Sequence, residues 1–197
     1  SADCIVILLH DPVRRAVGAA HAGWRGTAAG IVGKTVRAMQ AAFGCDPAHI
    51  RAAIGPAIGP CCFETDNDVP AALREVLGVE AEPFMTWNGQ KWHIDLKAVT
   101  ALWLQKAGVR HIDLCSDCTY CRPDLYWSHR KTGLRRGEIC GLVWQDFDAR
   151  NGVLQVRRTL HSRKLGVDML GKTKTRSGER TIILPRSTAE ILRRRKE

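Results

Sequence analysis

Several features are absent from this 197-residue sequence, and each absence narrows what the chain can be. No run of about 20 apolar residues occurs, so the sequence predicts no membrane-spanning helix. No internal repeat or low-complexity tract divides the chain. The glycine- and proline-rich stretch 55–60 lacks the Lys-Ser/Thr pair of a P-loop, which excludes a nucleotide-phosphate cradle of that kind.

Charge is distributed unevenly along the chain. Residues 1–130 carry 13 Lys and Arg against 13 Asp and Glu, whereas residues 131–197 carry 17 against 7 and hold the whole net charge of +10. Such asymmetry suggests a nucleic-acid or membrane-surface partner for the basic part only. A solvated basic surface accounts for the charge equally well.

Cysteine is distributed in the opposite way, since seven of the eight cysteines precede residue 131. The helix and strand patterns are too strong for a disulfide scaffold, so we expect reduced thiols in a cytoplasmic protein, with a metal-binding or catalytic role. Residues 115–121 have the spacing C-x2-C-x2-C, which is found in iron–sulfur and zinc proteins. No fourth ligand follows at a suitable spacing, so a metal cluster in this loop has little support from the sequence.

Apolar periodicity predicts a mixture of strands and helices without strict alternation, which indicates an α/β or α+β fold with a mixed sheet. Strands are predicted at 4–9, 16–21, 50–54, 91–94, 109–114, 125–129, 153–156 and 180–184. Helices are predicted at 31–42, from 66 or 68 to 77, at 95–107, around 136–142 and at 188–196, the last capped by Ser187. Asn88-Gly89 predicts a hairpin turn.

Cys4 and His21 lie at the ends of two strands that a short turn makes neighbours. A thiolate and an imidazole that converge there supply two ligands for zinc, or a nucleophile and its base. A cysteine on an apolar strand is also commonly inert packing. Arg25 suits a phosphate or a nucleoside through charge-assisted hydrogen bonds, with an exposed arginine after a turn as the alternative. Trp24 is expected in the core or in a cavity wall.

Five segments occur in the order and spacing of the laccase-domain family, also described as the multicopper polyphenol oxidase or purine nucleoside phosphorylase family. They are Ser-Ala-Asp-Cys (1–4), His-Ala-Gly-Trp-Arg-Gly-Thr (21–27), Ile-Gly-Pro-Ala-Ile-Gly-Pro-Cys-Cys-Phe-Glu (54–64), Cys-Thr-Tyr-Cys (118–121) and Ser-His-Arg (128–130). The chain resembles that family over nearly all of residues 1–130, and we assign residues 1–131 to this domain as an α/β sandwich.

The resemblance implies a function and a set of site residues. It implies zinc, with copper as the alternative, held by Cys4, His21 and an upstream histidine that has no counterpart here, so the metal site is expected to be incomplete. It implies phosphorolysis of adenosine, inosine and methylthioadenosine, with adenosine deamination as a further activity and phenol oxidation as the alternative. Arg25, Cys61, Cys62 and His129 are then the candidates for binding the purine nucleoside and phosphate, and the loop 115–121 lines the site.

Residues 132–197 resemble a different family, the tyrosine recombinases. Residues 132–148 are similar to their first active-site box, and 172–181 to the β-hairpin that carries their active-site lysine. The resemblance implies that Arg135 clamps a scissile phosphate and that Lys174 protonates the leaving oxygen, while basic flanks contact duplex DNA. The family's later His-x-x-Arg box and nucleophilic tyrosine have no counterpart, so strand cleavage is not expected. In this interpretation 132–197 is a small α+β fragment.

Three hypotheses therefore remain open. The first is a zinc enzyme of nucleoside or phenol chemistry, the second a DNA-binding recombinase fragment, and the third an inactive chimeric fusion. One segment is ambiguous, because Gly141–Trp144 can supply a closing strand to the first domain or the end of a helix in the second. We favour the helix end, since the following residues continue the recombinase pattern. Oligomeric state is not predicted.

Overall fold

The computed structural model of the chain describes residues 2–164, 167–172, 179–184 and 186–196. The chain divides into two compact units, residues 1–131 and 132–197. No helix among the described residues is long and apolar enough to cross a membrane.

The first unit is built from seven strands and five α-helices of very different lengths, together with one 3₁₀ helix. In chain order these are β1 (Ile5–Asp11), β2 (Ala16–Ala22), α1 (Trp24–Ala28), α2 (Ile31–Phe43), β3 (Arg51–Ile54), β4 (Glu64–Thr65), α3 (Asp68–Leu77), the 3₁₀ helix (Gly78–Phe84), β5 (Met85–Trp87), β6 (Trp92–Ile94), α4 (Leu96–Lys106), β7 (His111–Leu114) and α5 (His129–Thr132). The fold is mixed α+β, as the sequence predicts.

The main sheet has the strand order β2-β1-β3-β7, and it is mixed in direction. Strand β1 runs antiparallel to both β2 and β3, whereas β3 and β7 are parallel. Because β3 and β7 are parallel neighbours, the loops that follow them leave the sheet at the same edge. A second sheet, β4-β6-β5, is antiparallel, and the predicted Asn88-Gly89 turn joins β5 to β6.

The period-2 pattern of β1 decides which face of the main sheet is buried. Ile5, Ile7 and Leu9 are buried and pack in the core with residues from α2, α3 and α4. The alternate residues Val6 and Leu8 are exposed on the opposite face. Helices α2 and α4 both pack on the buried face, so this unit has helices over one side of the sheet.

Helix α4 begins where the sequence predicts, because the Asp95 carboxylate accepts a hydrogen bond from the backbone N–H of Ala98. Lys97, the second residue of the helix, is only 3% exposed. Its ammonium donates to the backbone carbonyls of Cys115 and Asp117, at 2.7 and 3.0 Å. These two hydrogen bonds from helix α4 therefore hold the loop that follows β7 in place.

Two predicted boundaries were wrong. Residues 125–129 form no strand, because the backbone N–H groups of Leu125 and Tyr126 both donate to the carbonyl of Arg122 and close a local turn. Arg122 also pairs with Asp124 across that turn. The final helix begins at Arg186, so Ser187 lies inside its first turn and does not precede it.

The second unit is small and rich in strands. It contains α6 (Arg136–Cys140), a 3₁₀ helix (Trp144–Asp146), β8 (Phe147–Asp148), β9 (Val153–Val156), β10 (Arg158–Lys164), β11 (Val167–Lys172), β12 (Arg180–Ile183) and α7 (Arg186–Lys196). Strands β12, β9 and β8 form one antiparallel sheet, and β10 pairs with β11. Gly141–Trp144 forms a turn and the start of the 3₁₀ helix, not a strand. The core contains Phe147, Leu154 and Val156.

A buried carboxylate organises this second unit. The Glu138 side chain is 3% exposed, and its two oxygens accept hydrogen bonds from the Arg180 guanidinium at 3.1 and 2.7 Å. Burial by itself would raise the pKa of Glu138, but the hydrogen bonds from Arg180 and from the backbone N–H of Arg135 lower it to about 2. A carboxylate held charged in this way stabilises the fold above its ordinary pKa, near 4.5.

We expect Glu138→Gln to lower the free energy of unfolding by on the order of 3 kcal/mol at pH 7. The glutamine cannot carry the negative charge that the folded protein favours, as the lowering of the Glu138 pKa from 4.5 to about 2 indicates. The difference between the two proteins should shrink as the pH falls from about 4.5 towards 2, since Glu138 itself becomes protonated. Urea unfolding at several pH values measures this. Glu190→Gln is the matched control, because Glu190 is more exposed and pairs with the exposed Arg186 on the same helix. Equal losses for both variants would contradict the prediction.

Candidate functional site

The β1–β2 hairpin places the two predicted metal ligands at the same end of the sheet. His21 lies opposite Val6, and Ile5 lies opposite Ala22. Cys4 directly precedes β1, and its Sγ lies 3.4 Å from the position that a Cβ on Gly23 would take. The predicted pairing of these two strands is thus confirmed. His21 lies diagonally across the hairpin from Cys4, and its side chain is exposed.

Asp3 connects this end of the hairpin to three other segments. Its Oδ1 accepts from the Thr119 hydroxyl at 2.7 Å, its Oδ2 accepts from the backbone N–H of Arg130 at 2.7 Å, and its carbonyl accepts from the N–H of Ile58. Asp3 has φ of 69°, a left-handed conformation that non-glycine residues adopt rarely. Backbone strain of this kind is concentrated at functional sites.

A cavity of about 190 Å³, here called the Cys4 cavity, opens beside these residues. Its wall is mostly apolar and includes Trp24, Phe63 and Leu96, while Cys4, Asp3, His129 and Arg130 bring polar groups. The Nδ1 atom of His129 is buried and has no hydrogen-bond partner among the described residues. The structure therefore brings Cys4 and His129 to the lining of one cavity.

A second, more polar cavity of about 330 Å³ adjoins the first and shares Trp24, Phe63 and Arg130 with it. Its other lining residues include Glu64, Asp66, Asp68 and Lys91. The Arg130 guanidinium donates to the carbonyl of Glu64 at 3.1 Å and lies 5.8 Å from the centre of the Phe63 ring. Asp3 and Arg130 were not predicted as site residues, although they lie within the motifs Ser-Ala-Asp-Cys (1–4) and Ser-His-Arg (128–130).

Arg25 has a different environment from the one its predicted role requires. Its side chain is exposed, and its guanidinium lies 4.1 Å above the ring of Trp24. Arg25 is absent from the lining of both cavities, whereas Trp24 contributes to both of them, as expected of a cavity wall. Arg130, unlike Arg25, lines both cavities.

Cys61 and Cys62 do not line either cavity. They meet Cys118 and Cys121, and the four sulfur atoms all lie within 4.8 Å of one another. The Sγ of Cys121 is 3.7 Å from that of Cys61 and 3.5 Å from that of Cys62. No fourth ligand follows the C-x2-C-x2-C loop in the sequence, and the additional cysteines of the cluster come instead from upstream, so the structure supports the cluster more than the sequence does.

Parallel strand pairing explains how these cysteines meet. Cys61 and Cys62 lie in the loop after β3, and Cys118 and Cys121 lie in the loop after β7. Both loops leave the same edge of the sheet, and a bridge between Ala57 and Cys118 joins them. Among the residues that the structure describes, these four cysteines are the one group of three or more His, Cys, Asp or Glu side chains close enough to share a metal.

The four thiols differ in acidity. Burial raises the pKa of Cys118, but hydrogen bonds from the backbone N–H groups of Gly59 and Cys121 outweigh it and hold the pKa at about 7. Burial and the neighbouring Cys118 raise the pKa of Cys61 to about 11, and burial and Cys121 raise that of Cys62 as well. Without a cation, Cys118 is thus a stronger acid than Cys61 and Cys62.

The site residues predicted for the second unit cannot be brought together in the same way. Arg135 is well exposed at 67%, and it pairs with Glu138 at 3.1 Å. Lys174 lies outside the described residues. A site formed by the two residues therefore stays a prediction.

Comparison with known proteins places residues 1–146 in a match to the family model described as "Multi-copper polyphenol oxidoreductase laccase". The match runs past residue 131, where the charge distribution changes, and includes the start of the second unit. The sequence-based limit of the resemblance, near residue 130, was therefore too short.

Among curated proteins, the chain is 43% identical to purine nucleoside phosphorylase YlmD of Geobacillus stearothermophilus, over 72% of this chain and 53% of that protein. It is 35% identical to human purine nucleoside phosphorylase LACC1, over 72% of this chain and 34% of that protein. The chain thus spans about half, or less, of the length of these relatives.

Solved structures also match this chain, over about two thirds of its length. A hypothetical protein YfiH of Bacillus licheniformis superposes with a TM-score of 0.64 at 39% identity, over 66% of this chain and 50% of that one. YlmD of Geobacillus stearothermophilus superposes with a TM-score of 0.63 at 42% identity, with the same coverage.

Proposed function

This chain belongs to the multi-copper polyphenol oxidoreductase laccase family, and from that premise we propose that it takes part in the phosphorolysis of purine nucleosides, as the names of its relatives suggest. Adenosine, inosine and methylthioadenosine are the proposed substrates, with inorganic phosphate as the second one. We place the protein in the cytoplasm, where reducing conditions keep the Cys4 thiol available.

The observation that supports this proposal most directly is the Cys4 cavity. Its aromatic residues, Trp24 and Phe63, offer flat apolar surfaces against which a purine can stack. Arg130, at the boundary of the two cavities, offers a guanidinium to a phosphate oxygen, and such charge-assisted hydrogen bonds are strong. His129 adds a further polar side chain to the mostly apolar wall.

The reaction balances without a redox partner. A phosphate oxygen bonds to C1′ of the ribose while the bond from C1′ to the purine nitrogen breaks, and the departing base takes up a proton. The products are the free base and ribose 1-phosphate. Arg130 would hold the attacking phosphate, and the imidazole of His129 would donate a hydrogen bond to the leaving base.

Zinc is the proposed cofactor, and the donor set of Cys4 and His21 fits it, since a thiolate with an imidazole is a common zinc combination. Bound zinc acts as a Lewis acid on an oxygen of the substrate. The same two ligands also suit copper, so phenol oxidation remains the alternative activity. No third His, Cys, Asp or Glu among the described residues completes this pair as a metal-binding group, so the pair offers two protein ligands.

The decisive assay measures release of hypoxanthine from inosine by the whole, zinc-loaded chain, with and without phosphate. We expect release that requires phosphate and yields ribose 1-phosphate in equal amount. A parallel assay supplies copper and a phenol under air. Phenol oxidation without phosphorolysis would replace the proposed function by its alternative, and inactivity in both assays would contradict the proposal.

A second candidate function, binding to duplex DNA, rests on helix α7 of the second unit. Arg193 and Lys196 use their side chains on the backbone carbonyls of Ala149 and Phe147, whereas Arg194 and Arg195 are exposed. We propose that these two exposed guanidinium groups contact phosphates. Replacing both by Gln should then reduce the slope of log affinity against log salt by about two. An unchanged slope would contradict this proposal.

A further inference from the structure

We propose that Cys61, Cys62, Cys118 and Cys121 form a structural zinc site that joins the loops after β3 and β7 and is separate from Cys4 and His21. The proposal stands independently of the phosphorolysis, because it depends only on the geometry of the four thiols. Structural zinc sites of this kind use four thiolates in a closed tetrahedron and leave no position open for a substrate.

The sulfur positions already approximate that tetrahedron. A zinc–sulfur distance of about 2.3 Å places tetrahedral sulfur atoms about 3.8 Å apart. The two measured separations, 3.7 Å from Cys121 to Cys61 and 3.5 Å from Cys121 to Cys62, lie close to this value. Since all four sulfurs lie within 4.8 Å of one another, only small side-chain rotations are needed to enclose one ion.

The surrounding backbone holds the cluster in place. The N–H of Gly59 donates to the Sγ of Cys118 at 3.2 Å, which is the kind of outer hydrogen bond that orients metal ligands. A Cβ at residue 59 would lie 3.2 Å from the Cβ of Cys118 and 3.4 Å from the Sγ of Cys61. Glycine is thus required at this position for the loop to approach the thiols so closely.

Other contacts keep the two loops in register. The N–H of Thr119 donates to the carbonyl of Ala57, and Lys97 binds the carbonyls of Cys115 and Asp117. The hydroxyl of Thr119 in turn binds Asp3, the residue before Cys4. An ion in the cluster would therefore also fix the position of the segment that carries Cys4.

The ligand set selects zinc over harder cations. Four soft thiolates suit zinc or iron, whereas magnesium and calcium require oxygen ligands. None of the four cysteines is in a disulfide. A disulfide would use only two of them, and it would leave unexplained why the other two sulfurs converge on the same point. Binding converts the thiols to thiolates, so each zinc ion taken up releases the thiol protons to solvent.

The test uses the whole, reduced chain with Zn²⁺ or Co²⁺ as the only added ligand. We expect about one tightly held zinc ion per chain from this cluster. Cobalt should give the strong thiolate-to-metal charge-transfer bands of a four-sulfur tetrahedral site. Cys62→Ser and Cys121→Ser should lose most of this absorption and should titrate with a much weaker affinity.

Three controls separate this site from others. Cys115→Ser removes a thiol from the same loop but outside the cluster, and it should leave the spectrum unchanged. Cys4→Ser and His21→Ala should also keep the four-sulfur spectrum, even if they abolish phosphorolysis.

If the cluster variants fail to fold, the unaltered chain still decides the question, because chelation should remove the ion and lower the thermal midpoint of unfolding. Absorption that survives in Cys62→Ser and Cys121→Ser, absorption that is lost in Cys4→Ser, or a mass two hydrogens lower with thiols blocked as a disulfide would each overturn the proposal.

Discussion

Replacing His21 by alanine should lower phosphate-dependent release of hypoxanthine from inosine by about a hundred- to a thousandfold. The reason is that a metal acting as a Lewis acid supplies several kcal/mol of transition-state stabilisation, and each 1.4 kcal/mol corresponds to a factor of ten in rate. His21 shares the end of the β1–β2 hairpin with Cys4, so losing either ligand should leave the ion with a single protein donor. Cys4→Ser should therefore reduce the rate by a similar factor.

His10→Ala is the matched control for this experiment. His10 also lies exposed on the β1–β2 hairpin, but at its other end, opposite Val17. It should leave the rate unchanged, because it is remote from Cys4 along the strand. Equal rates for the unaltered chain and His21→Ala would remove His21 from the site while leaving the proposed reaction intact. Zinc content measured on both variants distinguishes loss of the ion from loss of the fold.

Lys97→Met should be the most destabilising of the substitutions considered, at about 3 kcal/mol or more. The methionine fills most of the volume of the lysine, but the carbonyls of the half-buried Cys115 and Asp117 lose their charged donor. Hydrogen bonds to charged groups contribute about 1.5 to 3 kcal/mol each, and a buried acceptor left without a partner carries the full cost of its desolvation. Urea unfolding of the whole chain measures the loss.

Lys106→Met provides the comparison, because Lys106 ends the same helix. Its ammonium is 2.6 Å from the Glu80 carboxylate, and both side chains are substantially exposed. Exposed pairs of this kind contribute at most about 1 kcal/mol. Equal free energies of unfolding for the two lysine variants would mean that the hydrogen bonds from Lys97 to the loop after β7 do not stabilise the fold.

The parts of the fold that depend on neighbouring residues were predictable from the sequence. A short continuous apolar run identified β1, the Asp95 cap located the start of α4, and the Asn88-Gly89 turn identified the hairpin of β5 and β6. Each of these signals operates within a few residues, so no knowledge of the tertiary structure was needed. Residues 125–129 were misread for the same reason. Their apolar content resembles that of a strand, but the turn closed by Arg122 uses their backbone donors.

The candidate site was only partly predictable. The pairing of the two strands that carry Cys4 and His21 at their ends followed from a short hairpin, and the structure has it. The cysteine cluster was missed because its two halves are about 60 residues apart and meet only through the parallel pairing of β3 with β7. Arg130 was not predicted because its position depends on Asp3, which lies 127 residues earlier in the chain. The Asp3 carboxylate accepts a hydrogen bond from the backbone N–H of Arg130. The spacing of residues along the chain does not show which distant residues contact each other in the fold.

The parallel pairing of β3 with β7 also has a consequence for the order of folding. Arg51 pairs with His111, so the contact closes a loop of about 60 residues, and such non-local contacts form late because the entropy of loop closure opposes them. The β1–β2 hairpin, with only four residues between its strands, can form much earlier. During synthesis or refolding, Cys61 and Cys62 would therefore remain far from Cys118 and Cys121 for most of the process. Burial of the Cys118 thiol, followed over time by alkylation, would thus report the last step in assembly of the main sheet.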